Sequence, residues 1–220
     1  MEKSDFCKNV FINCPFDNEY LPLLRPIIFT VLYFDFVPRI TLEKSDSGKP
    51  RLEKLLELIK ESKYSIHDLS RLQASKSKEF YRLNMPFELG LDYGCRSFSN
   101  MAIEKEFLIL ETKPYDYMKA ISDINGLDIK NHNDEPEKIV ECVREWFVET
   151  VGLRKVNGSL KIWYEFADFS TKLFDTKFTQ YYSEHGENRA EKMAIIECEK
   201  MPIPEYIDEI REFLPSRKRK

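Results

Sequence analysis

Short, β-prone apolar runs alternate with amphipathic helical stretches over residues 1–150, and this alternation is the strongest constraint on the fold. The runs are Val10-Phe11-Ile12, residues 36–41, residues 64–66 and Phe107-Leu108-Ile109-Leu110, with a short fifth expected at 126–129. Helical spacing lies between them. Leu24, Ile27, Ile28, Val31 and Leu32 mark 19–34, and Leu52, Leu55, Leu56 and Ile59 mark 51–62. A third helix is expected at 86–95, a loop and a helix at 113–124, and an amphipathic helix at 136–150. Pro22 and Pro136 suit first turns, whereas Pro26 would kink or break a helix interior. Pro38 sends its strand to an edge or marks its beginning. Helical crossovers between buried runs predict an α/β domain at 1–150, a parallel sheet covered by helices on both faces. Beyond it the pattern turns helical and aromatic, with Trp163, Tyr164, Phe166, Phe169 and Phe174, so 151–220 is read as an α-helical C-terminal extension.

Composition narrows the function classes. Apolar content of 42% and charged content of 33% fit a water-soluble globular chain. A net charge of -4 speaks against a general nucleic-acid binder. The basic end, Arg217-Lys218-Arg219-Lys220, reads as a solvated tail. Five scattered cysteines without a CxxC pair predict reduced thiols and a cytoplasmic location. His67, His132 and His185 are too dispersed to suggest a metal site. Met1-Glu2-Lys3-Ser4-Asp5 is no signal peptide, and the uncharged run 26–34 is too short for a bilayer, which needs ~20 residues. No membrane partner is expected.

In an open parallel sheet, ligands bind beyond the carboxyl ends of the strands. Three segments leave such ends: 13–18, 67–71 and 110–115. Met85-Pro86-Phe87-Glu88-Leu89-Gly90 places Glu88 at an expected helix start. There the dipole would hold its carboxylate ionised, suited to a nucleophile or an electrostatic stabiliser. Tyr64-Ser65-Ile66-His67-Asp68-Leu69-Ser70 reads as a strand running into a polar loop, and an aspartate in the place of Asp68 is more often a polar strand end or an N-cap. His67 could shuttle a proton, but neighbours on a strand face opposite ways, so only one of the two points into a site. Cys14 reads as a packed thiol, Gly90 and Gly94 as close-packing positions, and the acidic turn 121–128 as turn chemistry.

Asn13-Cys14-Pro15-Phe16-Asp17 after the first strand, Ser65 to Ser70 after the third and Met85 to Gly90 on the next helix together resemble the nucleoside 2-deoxyribosyltransferase family. Order and spacing are also similar to Toll/interleukin-receptor-type domains, whose NAD-cleaving members share the core. The resemblance spans about residues 8–150 and implies a flavodoxin-like fold and N-glycosidic bond cleavage without a cofactor. Glu88 matches the glutamate that attacks the sugar, and Asp68 the aspartate that binds its hydroxyls. Asn13, Cys14, Pro15, Phe16, Asp17, His67 and Met85 would frame base and sugar. A Lys/Ser-rich stretch at 75–78, then Phe80-Tyr81-Arg82-Leu83-Asn84, replaces the family's Gly-rich stretch. This opens the site to a nucleotide or NAD as substrate, with Arg39, Arg71 or Arg82 near a phosphate. The resemblance further implies a homo-oligomer whose subunits complete each other's sites, and an antiphage-defence effector with room for a regulatory protein partner. The alternatives are a true deoxyribosyltransferase and a non-catalytic nucleotide-sensing or interaction module.

Overall fold

The computed structural model describes residues 6–43, 47–72, 83–98 and 104–214. The 75–78 stretch, Arg82 and the basic end at 217–220 lie outside the described residues. Two compact units emerge, Met1–Val156 and Asn157–Lys220. The first holds strands β1 (Asn9–Asn13), β2 (Val37–Arg39), β3 (Tyr64–Asp68), β4 (Glu106–Glu111) and β5 (Ile129–Asn131). All pair in parallel, in the order β2-β1-β3-β4-β5, which is the flavodoxin-like order. Pro38 indeed lies on an edge strand, where a missing N–H is tolerated.

Helices cover both faces. α1 (Leu21–Tyr33) packs with α4 (Pro136–Glu149) on one face, and α2 (Arg51–Lys60) with α3 (Asn84–Phe98) on the other. The strands alternate between them. Phe11 and His67 meet edge to face at 5.9 Å on the α2/α3 side, while Tyr64 meets Trp146 of α4 at 5.9 Å on the opposite side. Pro26 does not end α1. The helix runs through it, and Thr30 donates its hydroxyl to the Pro26 carbonyl at 2.7 Å. Burial of Leu24, Ile27, Ile28, Phe29 and Val31 offsets the one backbone bond the proline removes.

Three expectations need correction. The buried stripe of α2 is Leu55, Leu58 and Ile59 against Phe11, whereas Leu52 in the first turn is 46% exposed. Residues 113–124 form no α-helix but two 3-10 turns, Asp116–Lys119 and Ser122–Ile124. Glu111 takes the N–H groups of Tyr115 and Tyr117 at 2.8 and 3.2 Å, and Tyr115 sits at φ 64°, so the backbone is fixed outside a regular helix. The fifth strand starts at Ile129 because Gly126, at φ 97°, occupies a turn that extended backbone cannot include.

The second unit contains α5 (Ser159–His185), α6 (Glu187–Lys200) and α7 (Ile203–Phe213). Gly186, at φ 72° and ψ 169°, separates α5 from α6 in a conformation nearly restricted to glycine. Of the aromatic stretch, Phe169 is the buried anchor, edge-on to Tyr206 and near Phe213, while Tyr164 is 68% exposed. No helix among the described residues is long and apolar enough to cross a membrane.

Candidate active site

From β1 the chain crosses to β2 on one side and later to β3 on the other. The loops after β1 and β3 therefore part at the carboxyl edge, the place where an open parallel sheet offers a ligand site. Asn13 ends β1 opposite His67 of β3, and Asp68 ends β3. His67 and Asp68 are both fully buried and face opposite sides of the sheet, as neighbours on a strand must. Each heads a separate polar network.

Asp68 accepts the Ser70 N–H at Oδ1 (2.7 Å) and the Tyr20 hydroxyl at Oδ2. His132 Nε2 lies 3.1 Å from the same Oδ2 and 2.8 Å from Ser70 Oγ. The Asp134 backbone N–H occupies His132 Nδ1 at 3.1 Å, so the imidazole proton is on Nε2 and faces Asp68. Burial pushes the Asp68 carboxyl up, but hydrogen bonds from His132, Ser70 and Tyr20 and the attraction of His132 outweigh it and hold Asp68 below the usual carboxylate value. Tyr20 is held protonated, its phenol raised by burial and by Asp68. Both oxygens of Asp68 are thus engaged in bracing the loop after β3 against the start of α1 and the residue after β5. His132 carried no signal in the sequence, because its partners lie 62 and 64 positions away.

On the other face, His67 Nε2 meets Asp92 Oδ2 at 3.0 Å, and Ser65 donates its hydroxyl to the same oxygen. Lys105 Nζ forms an ion pair with Asp92 Oδ1 at 3.0 Å and donates to the carbonyls of Ile59 (2.7 Å) and Ser62. Burial raises Asp92, and His67, Lys105 and Ser65 together bring it below its usual value. Asn13 Nδ2 donates both to His67 Nδ1 and to the Met85 carbonyl, each at 3.0 Å. The end of β1 is thereby tied to the first turn of α3.

Glu88 lies on α3 one turn before Asp92, on the same helix face. The expectation that it opens the helix is corrected. α3 starts at Asn84, so Glu88 is past the first turn, where the dipole has little hold. Its ionisation is set otherwise: burial raises its carboxyl, and Arg51 Nη2, 3.4 Å from Oε1, lowers it only in part. The net value is above the usual one, and Oε2 is buried with no hydrogen-bond partner among the described residues.

Cys14 is fully buried. Its thiol is raised by burial and by the negative charges of Asp68, Glu88 and Asp17, so it stays protonated. Pro15 is buried, and Phe16 and Asp17 are half-buried. Asp17 Oδ1 accepts the Tyr20 N–H at 3.0 Å. Arg39 does not join the group. It pairs with Glu43 at 3.2 Å and Glu61 at 3.1 Å, beside a cavity of about 260 Å³ that Lys49, Lys54 and Glu57 also line. Arg71, at φ 66°, reaches Glu19 at 3.4 Å. Gly90 is no close-packing position. An added Cβ would meet nothing within 4 Å, and the residue borders a cavity of about 360 Å³ with Leu89, Tyr93, Ile124 and Leu127. Among the described residues no group of three or more His, Cys, Asp or Glu is arranged to hold a metal ion.

Comparison of the chain with protein-family models, curated proteins and solved structures returns no match.

Proposed function

We propose that the protein cleaves the N-glycosidic bond of a nucleoside, nucleotide or NAD, with Glu88 as nucleophile or as the counter-charge to the sugar cation. The observation that carries this reading is the buried, unpartnered Glu88 Oε2 on α3, the helix after β3 whose first turn is tied to the end of β1 through Asn13. A carboxylate that burial destabilises gains most from a positive charge, and loss of the base leaves that charge on the anomeric carbon. Arg51 steadies Oε1 and leaves Oε2 for the sugar. Asp68 acts as a positioning residue, since its oxygens are taken by Tyr20, Ser70 and His132. Phe16, half-buried in the loop after β1, is the side chain to stack on the base. Water as acceptor makes the protein a hydrolase; a second base makes it a deoxyribosyltransferase. The completeness of the Asp68 network favours one other reading, a nucleotide-sensing module without turnover.

Purified protein incubated with NAD, ribonucleosides and 2′-deoxynucleotides, followed by mass analysis of freed bases, separates these readings. Base release by the wild type, reduced at least ~100-fold in Glu88→Gln, is the expected result. Ligand bound equally by both proteins with no base released would favour the sensing module.

A further inference from the structure

The amide of Asn13 has a fixed orientation. Met85 offers a carbonyl, which can only accept, so the atom 3.0 Å from it is the Asn13 nitrogen. The second N–H of that nitrogen goes to His67 Nδ1. Nδ1 accepts because the other ring nitrogen gives its proton to Asp92, a carboxylate kept charged by Lys105. Both amide protons are consumed, and Asn13 presents only Oδ1.

Oδ1 is buried and has no hydrogen-bond partner among the described residues. Glu88 Oε2 is in the same condition. Both residues belong to the α3 side of the sheet, for Asn13 is bonded to Met85, three residues or ~4.5 Å along the helix before Glu88. Two orphaned acceptors, one at the end of β1 and one on the helix tied to it, call for a ligand that brings donors. An acceptor left unpaired in a bound complex costs about ten- to hundredfold in affinity, so such a site selects for them. If Oε2 faces the anomeric carbon, the nearest sugar donor is the hydroxyl on the adjoining carbon.

We infer that Asn13 is a specificity-determining residue whose Oδ1 accepts from the 2′-hydroxyl, so that the substrate is a ribosyl and not a 2′-deoxyribosyl compound. The inference rests on the glycosidase reading and names its substrate class. His67 and Asp92 are positioning residues that keep the oxygen of Asn13, and not its nitrogen, turned to the sugar. The consequence runs against the deoxyribose preference that the family resemblance implies.

The test uses the full chain and offers adenosine, guanosine, cytidine, uridine and NAD, each beside its 2′-deoxy and 3′-deoxy form on the cleaved ribose. The expected result is a kcat/KM at least tenfold lower for the 2′-deoxy form than for the ribosyl form, with the 3′-deoxy form less affected. Asn13→Ala should bring the ribosyl to 2′-deoxy ratio towards one, a change that a purely structural role would not produce. If that variant does not fold, the wild-type ratios decide the matter alone. Equal cleavage of ribosyl and 2′-deoxy forms, or a stronger effect of the 3′-hydroxyl, would overturn the inference and leave the glycosidase reading intact. Absence of base release from every compound would overturn both.

Discussion

At the scale of single residues, the molecule is organised around what each carboxylate is given to hold. Asp68 has donors on both oxygens, Asp92 has His67 and Ser65 on one oxygen and the Lys105 ion pair on the other, and both sit below their usual pKa. Glu88 has one guanidinium, on Oε1 alone, and a raised pKa. Protonation of Glu88 therefore favours the folded state. That contribution is complete below its unfolded value, near 4.5, and is lost as pH rises through the raised folded value. Glu88→Gln fixes the neutral form. At pH 7 it should melt at the same temperature as the wild type or higher, with the difference closing below about pH 4. A clear loss of stability at pH 7 would instead assign Glu88 to a structural pair with Arg51. Asn13, His67, Asp68 and Glu88 were legible in the sequence because they sit at strand ends or on the helix after them. Their partners Tyr20, Asp92 and His132 were not. Each is brought in from 25 to 64 positions away, by topology that no local pattern encodes.

At the scale of elements, the strands were legible because short apolar runs between amphipathic helices have few other uses in an α/β fold. Boundaries moved where a side chain captured the backbone, as Glu111 does for Tyr115 and Tyr117. The start of α3 moved two residues earlier because proline is tolerated throughout a first turn, so Pro86 could not mark a unique beginning. α3 also carries an avoidable weakness. Gly90 is a mid-helix glycine with open space where a Cβ would go. Gly90→Ala should stabilise the first unit by about 0.5–1 kcal/mol in urea unfolding, with base release unchanged. A destabilised variant would mean that the cavity beside Gly90 is filled in the working protein.

At the scale of the whole molecule, the first unit is an α/β layer structure and the second a helical one, each with its own buried core. All residues of the candidate site fall in the first. Two buried carboxylates below their usual pKa predict where acid acts on it. Their stabilising contributions are complete above about pH 4 and disappear as pH falls through the lower folded values. Asp92→Asn leaves Lys105 buried without its counter-charge and should cost about 3 kcal/mol or more, against ~0.5 kcal/mol or less for Lys138→Gln at the half-exposed Lys138–Glu141 pair. Similar losses in the two variants, measured by denaturant midpoint, would refute the buried network as a source of stability. The central claim is that Glu88 Oε2 faces the anomeric carbon of a bound sugar. It is tested most directly by a crystal structure of Glu88→Gln holding the intact compound that the wild type cleaves. The account predicts the side-chain oxygen at position 88 about 3–3.5 Å from the anomeric carbon, between the ends of β1 and β3. A sugar bound elsewhere, or turned so that this carbon lies beyond ~6 Å, would contradict it.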